Sequence, residues 1–348
     1  MKRLLTATVA LCIMFAMVAG NSAAGEKGRK QSGEKFVIGY SYPTINNEFW
    51  ADSLRNFQDA AKAVGFDILE ITCNNDQAKQ INDVESMLAT GIDGLVLAPQ
   101  DASVCPGIVF GCKQRGVPVI IIDRWPGDEP VPGKDYIAFM GPNDTEAGYG
   151  IAKSLIDAGC KKLVGIGGFQ STSVGEGRKA GLDKALAEHP EVKLLQYEWA
   201  GESWDDGDRV FRSMLSAHRD MDGVWGYNDS LALSAVNVLK ESGMIGKVKV
   251  GGMDLLAPAI DSMINGELWF STGGHYMQTA FGAIVLFDVL NGIKYEGEPV
   301  TKLSLMEISQ DKVAKFKKDF LDNPTAVDWK SYSRVYNPSG KIEFKVNF

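Results

Sequence analysis

Histidine is scarce in this sequence: three copies in 348 residues, two of them beside charged neighbours. That is poor material for an imidazole-based catalytic centre. Cysteine is short as well, with five copies and neither a CxxC pair nor a Cys/His spacing suited to a metal. No metal site is expected. The hydrolase signatures GxSxG and HExxH do not occur. Gly165-Ile166-Gly167-Gly168 misplaces the third glycine of a dinucleotide loop, and no strand-end acid follows at the usual distance. NAD is therefore excluded, and no cofactor is expected. His218-Arg219-Asp220 imitates a kinase catalytic loop, but no glycine-rich loop or DFG accompanies it. Basic runs are missing too. The formal net charge is −8, which argues against nucleic acid or an anionic membrane surface as partner.

What the chain does have begins at its first residues. Lys2-Arg3, an apolar run from Leu4 to Val18 and small residues through Ala24 make a secretory signal, with cleavage expected near Ala24. The run is shorter than the ~20 residues that a membrane span needs. Leu11 precedes Cys12 where a lipoprotein signal wants a small residue, so a lipid anchor is rejected. Removing residues 1–24 takes away two basic and no acidic residues, leaving 34 against 44 and a net charge of −10. Residues 25–34 read as a disordered polar leader. Export leads to an oxidising compartment, so Cys73, Cys105, Cys112 and Cys160 have three possible pairings. Cys105 and Cys112 lie seven apart on an expected helix, about 10 Å in rise and too far to bridge. Buried free thiols are the simpler expectation.

Length and pattern point to two α/β units. Phe36-Val37-Ile38-Gly39-Tyr40 reads as a buried strand, Pro43 stops it, and Asn46 or Asn47 can cap a helix from Glu48 to Val64. Further strands are expected at Asp67–Thr72, Gly94–Ala98, Pro118–Ile122 and Tyr136–Met140, separated by helices. Gly141-Pro142-Asn143 marks a boundary. A second series follows, with strands at Lys162–Gly167, Lys193–Ala200, Asp222–Tyr227 and Lys247–Met253. Such alternation calls for parallel sheets covered on both faces. Ligands in such sheets bind beyond the carboxyl ends of the strands. Asn47, Phe49 and Trp50 follow the first strand, Asp123 and Arg124 end the fourth, and Asn228 and Asp254 end two strands of the second series. Asp229 is expected to cap the helix after Tyr227, leaving Asn228 for a ligand. Beyond Ser309 come a basic helix (Lys312 to Phe320) and a tail in which Lys341 to Val346 alternates like a short strand.

Four blocks in order, TINNEFW, IIIDRW, YNDSLALSAV and GGMD, carry a resemblance that runs from about Phe36 to Ile308. The chain resembles the type I, ribose-binding-like periplasmic sugar receptors of ABC transporters. The resemblance implies two Rossmann-like lobes with parallel sheets, joined by three hinge crossings. The first lobe would comprise 35–141 and 275–302; the second would comprise 142–274 and 303–348. It implies a hinge that closes over a neutral monosaccharide or polyol and presents the closed form to a membrane permease. The receptor is expected to be a periplasmic monomer and not an enzyme. Its implied ligand contacts are Asn47, Phe49, Trp50, Asp123 and Arg124 from one lobe, and Arg178, Trp204, Asn228 and Asp254 from the other.

Two positions depart from the family pattern. Glu48 replaces a usual proline and adds a possible acceptor. Gly274 falls where ribose-type receptors carry glutamine, with His275 beside it as a further candidate contact. These departures put ribose itself in doubt. Trp125 is open between site wall and loop packing. The formal charges, Asp123, Asp254 and Glu48 against Arg124 and Arg178, disfavour a sugar phosphate. Three rivals remain at this level: a chemoreceptor-linked or quorum-type sensor of the same fold, a transcription regulator, and a glycoside-processing enzyme using Asp123 and Asp254. The regulator would need a helix-turn-helix where the signal sequence stands.

Overall fold

The computed structural model describes residues 34–170, 172–308, 310–323, 327–340 and 342–345. The expected signal sequence and all but the last residue of the expected leader lie outside the described residues. The first half runs β1 (Val37–Tyr42), α1 (Glu48–Val64), β2 (Asp67–Thr72), α2 (Gln77–Thr90), β3 (Gly94–Leu97), α3 (Cys105–Gln114), β4 (Val119–Ile122) and β5 (Ala138–Pro142). The second runs α4 (Asp144–Asp157), β6 (Lys162–Gly167), α5 (Ser173–Glu188), β7 (Lys193–Trp199), α6 (Trp204–Ala217), β8 (Gly223–Gly226), α7 (Asp229–Glu241), β9 (Lys249–Asp254), α8 (Ala257–Ile264) and β10 (Phe270–Gly273). After these come α9 (Gln278–Leu290), β11 (Val300–Leu303), β12 (Met306–Ile308) and a short α10 (Val313–Phe316).

Two six-stranded sheets result, in the orders β11-β5-β4-β3-β1-β2 and β12-β10-β9-β8-β6-β7. All pairs in the first sheet are parallel; in the second only β10–β12 is antiparallel. Each sheet thus reverses its winding beside its own first strand, β1 or β6, which is where a crevice opens at the strand ends. The chain crosses between the sheets three times: from β5 to α4, from β10 to α9, and from β11 to β12.

Local chemistry explains the element ends. Asn47 accepts from Phe49 N at 3.0 Å to start α1, and Gly65, at φ 96°, closes it with its N–H on Ala61 O. Nearly all of α9, from Gln278 through Asp288, is buried, as befits a helix that is apolar all round. It packs against α1 and against β1, β3 and β4.

The tail departs from its expected strand. Residues 342–345 are not a strand, and residues 329–336 pack on α1 and α9. Trp329, Tyr332 and Phe344 gather around Phe281 of α9, with ring centroids 5.9, 4.9 and 5.5 Å away. Asp288, buried near the end of α9, accepts from Ser333 Oγ and Arg334 N, each at 2.6 Å. Tyr336 donates to Val64 O at 2.7 Å. The outer face of α1 and α9 is apolar and carries a carboxylate, and this strap supplies both its cover and its donors. Cys73, Cys105, Cys112 and Cys160 are buried and free. Burial pushes the Cys105 and Cys112 thiols up to about 12 and Cys160 to about 11.

Candidate ligand-binding site

The strand ends of both sheets face one another across a cleft. Asn47, Phe49 and Trp50 come from the start of α1, and Asp123 and Arg124 from the end of β4. Arg178 comes from α5, Tyr227 and Asn228 from the end of β8, Asp254 from β9, and His275 from the crossing before α9. Glu202, in the loop before α6, completes the lining. The cavity they enclose measures about 20 Å³.

Nine of the eleven residues expected from sequence line this cavity, and Glu48 and Trp204 do not. Glu48 opens α1 on its exposed side, one residue along the helix from Phe49 and Trp50, which turn inward. Trp204 is 43% exposed, because Ser203 caps α6 and turns the next side chain away from the cleft. Glu202 lies just before that cap and takes the place expected for Trp204. The Ser203–Asp206 pair, with the hydroxyl donating to the carboxylate at 2.5 Å, is a capping-box spacing legible in the sequence. Tyr227 was also missed: it reads as the last apolar residue of a strand, yet its ring lies 4.4 Å from the Arg178 guanidinium. Trp125 is not a wall of the cavity. It packs edge-on against Phe139 at 5.1 Å.

The capping expectation is reversed at β8. Asn228 is the cap, accepting from Leu231 N at 2.9 Å, while its amide donates to Glu202 O at 3.2 Å. Asp229 instead points inward and accepts from Ser271 Oγ and Leu256 N. Two buried donors, a hydroxyl and a backbone N–H, are available there.

Each arginine is held by a carboxylate. Arg178 Nε donates to Asp144 at 3.0 Å, and its Nη1 donates to Tyr227 O at 2.9 Å. Arg124 reaches across the cleft and donates Nη2 to both oxygens of Glu202, each at 3.1 Å. Asp123 lies 4.0 Å from Arg124 and accepts from Gln278 Nε2 at 2.8 Å. Asp254 has His275 Nε2 at 3.7 Å, and no described lysine or arginine nitrogen lies within 4.0 Å of it. Burial raises the Asp254 carboxyl well above the usual carboxylate range, with Arg178 opposing. Burial also holds His275 well below its ordinary value, aided by Arg178, so the ring is neutral. Phe49 packs on that ring at 4.6 Å and on Trp50 at 4.9 Å, giving the cleft an aromatic wall.

Asp123 and Asp254 share a further trait. Their φ angles are 67° and 131°, in the region that side-chain-bearing residues seldom enter. Such strain persists only where the surroundings enforce it, and it concentrates at functional sites. Three carboxylates, two guanidiniums, amides and aromatic faces suit a guest that offers hydroxyls and a C–H surface.

The periplasmic binding protein domain family model matches residues 38–294. The chain belongs to that family. Among its relatives, the ribose import binding protein RbsB of Bacillus subtilis is 27% identical over 60% of this chain and 67% of its own length. The D-ribose/D-allose-binding protein of Pseudomonas aeruginosa is 28% identical over 76% of this chain and 85% of its own. Among solved structures, a periplasmic sugar-binding protein from Pseudomonas fluorescens superposes with a TM-score of 0.78 at 22% identity, covering 90% and 98% of the two chains. An ABC transporter solute-binding protein from Actinobacillus succinogenes with bound D-allose gives 0.76 at 22% identity, covering 81% and 100%. The periplasmic binding proteins are solute receptors and not enzymes, and the fold expected from sequence is the one observed.

Proposed function

We propose that this periplasmic binding protein is the exported solute receptor of an ABC transporter, taking a monosaccharide or small polyol into the interlobe cleft. The observation that carries the reading is the convergence of Asp123, Arg124, Arg178, Asn228 and Asp254 on one cavity between two sheet edges. A guest touching both lobes favours the closed form, which a permease in the inner membrane then recognises. The signal sequence is cleaved near Ala24, and the mature receptor acts as a monomer. Relatives named for ribose, allose and xylose support a sugar-sized guest. Micromolar affinity needs about −8 kcal/mol. Several hydrogen bonds to charged groups, at about 1.5–3 kcal/mol each, exceed that before ordering costs are met.

A thermal-shift panel of pentoses, hexoses and polyols tests the reading, since a guest specific to the folded protein raises Tm by mass action. One or more should raise it, and Asp254→Ala should abolish the shift. A panel with no response, alongside a clear shift from an unrelated solute class, would refute it.

A further inference from the structure

The charges around the cleft do not cancel, and the excess sits on a carboxylate that faces the guest. Asp123, Glu202 and Asp254 line the cavity against Arg124 and Arg178. Arg178 is also held from behind by Asp144. Glu202 engages Arg124 with both oxygens. Neither guanidinium pairs directly with Asp254: Arg178 acts on it only from beyond 4.0 Å and shares its charge with Asp144. Asp254 is 3% exposed, lines the cavity, and among the described residues has only a histidine within ion-pairing reach. An isolated buried carboxylate is costly unless a proton or a cation compensates it. Hydroxyl groups alone return only part of that cost, whereas an ammonium brings three donors and the missing charge.

We propose that the cleft selects a polyhydroxylated guest bearing an ammonium group, an amino sugar or an aminopolyol, over the parent that carries a hydroxyl there. Asp254 receives the ammonium, and Glu202 supplies the acidic surplus by occupying Arg124. The inference rests on the sugar-receptor reading and replaces its uncharged guest with a cationic one. Phe49 and Trp50 line the same cavity, and an aromatic side chain close to a desolvated cation stabilises it further.

The test is titration calorimetry of the mature protein with matched pairs. Glucosamine, galactosamine, mannosamine and an amino-inositol are each set against the hydroxyl parent and, for the sugars, the N-acetyl derivative. At pH 7 to 7.5, where the amines still carry a substantial share of their protons and the buried carboxyls are closer to ionised than in acid, at least one amine should bind tighter than its parent by about tenfold or more, the equivalent of 1.4 kcal/mol. The N-acetyl form, which keeps the nitrogen but not the charge, should lose that preference. Glu202→Gln and Asp254→Asn keep shape and remove charge. Each should lower the amine-to-parent affinity ratio, whatever it does to binding overall. Parents that bind as well as or better than every amine overturn the proposal while leaving the sugar-receptor reading intact. Amine preference that persists unchanged in both variants also overturns it. Failure of all polyhydroxylated probes overturns both.

Discussion

Asp144 is the residue whose titration reports on the site from behind. It lies 13% exposed beside Arg178, and burial pushes its carboxyl up to about 7, more than the arginine pulls it down. A folded-state value above the unfolded one means that the native protein holds a proton which the unfolded chain has released. Stability conferred by that proton is present at low pH and is lost as pH rises from about 4 towards 7. Three pH units correspond to an upper bound of about 4 kcal/mol. Asp144→Asn does not titrate, so the Tm of the variant minus that of the wild type should become more positive between pH 5 and pH 8. A difference that is flat or falls over that interval would contradict the assignment. At this scale the sequence revealed those residues that end strands it had already marked. Asp123 follows Val119–Ile122, and Asp254 ends β9, so their projection could be read directly. Glu202 stayed hidden because it lies in a loop, where no periodicity fixes direction.

Among the elements, α4 and α5 set where Arg178 stands. The two helices approach so closely that a Cβ on Gly148 would lie 2.0 Å from Arg178 O, and one on Gly181 would lie 2.1 Å from Thr145 O. Both obstacles are backbone, which cannot swing aside as a side-chain tip would. The absence of a side chain at Gly148 thus fixes the height of Arg178 over Tyr227. Gly148→Ala must push the helices apart and lift the guanidinium from Tyr227 O. Overpacking of this kind costs about 1–3 kcal/mol. The expected outcome is a lower Tm together with weaker ligand binding, measured by calorimetry. Ligand affinity unchanged in a destabilised variant would show that the helix contact is structural only. Secondary structure could be read from the sequence because hydrophobic runs and caps are local signals. The close helix contact could not, since a glycine inside a helix looks the same whether it faces solvent or a neighbour. The tail misled for a related reason. Its alternation suggested a strand, but α9 offered an apolar face and the Asp288 carboxylate, and tertiary contact overrode local pattern.

For the whole molecule, three crossings confine the two lobes to opening and closing, a motion for which periplasmic binding proteins are a stock example. What holds the closed arrangement here is visible in two contacts between lobes. Arg124 engages Glu202 through two hydrogen bonds, with side chains only 4% and 11% exposed. Trp125 N donates to Ser173 Oγ at 2.9 Å. A pair so shielded is not screened as a surface bridge would be, and removing one partner strands the other charge, at a cost of about 3–5 kcal/mol. The lobes can avoid that cost by opening, which returns Glu202 to water. Arg124→Ala should therefore shift the protein without ligand towards an open form, by a factor of about a hundred or more at 1.4 kcal/mol per tenfold. Small-angle scattering should record a larger radius of gyration for the variant than for the wild type when both are free of ligand. Equal radii would mean that the Arg124–Glu202 pair does not hold the lobes together. Closure would then depend on the guest alone, bridging Asp123 on one side and Asp254 on the other.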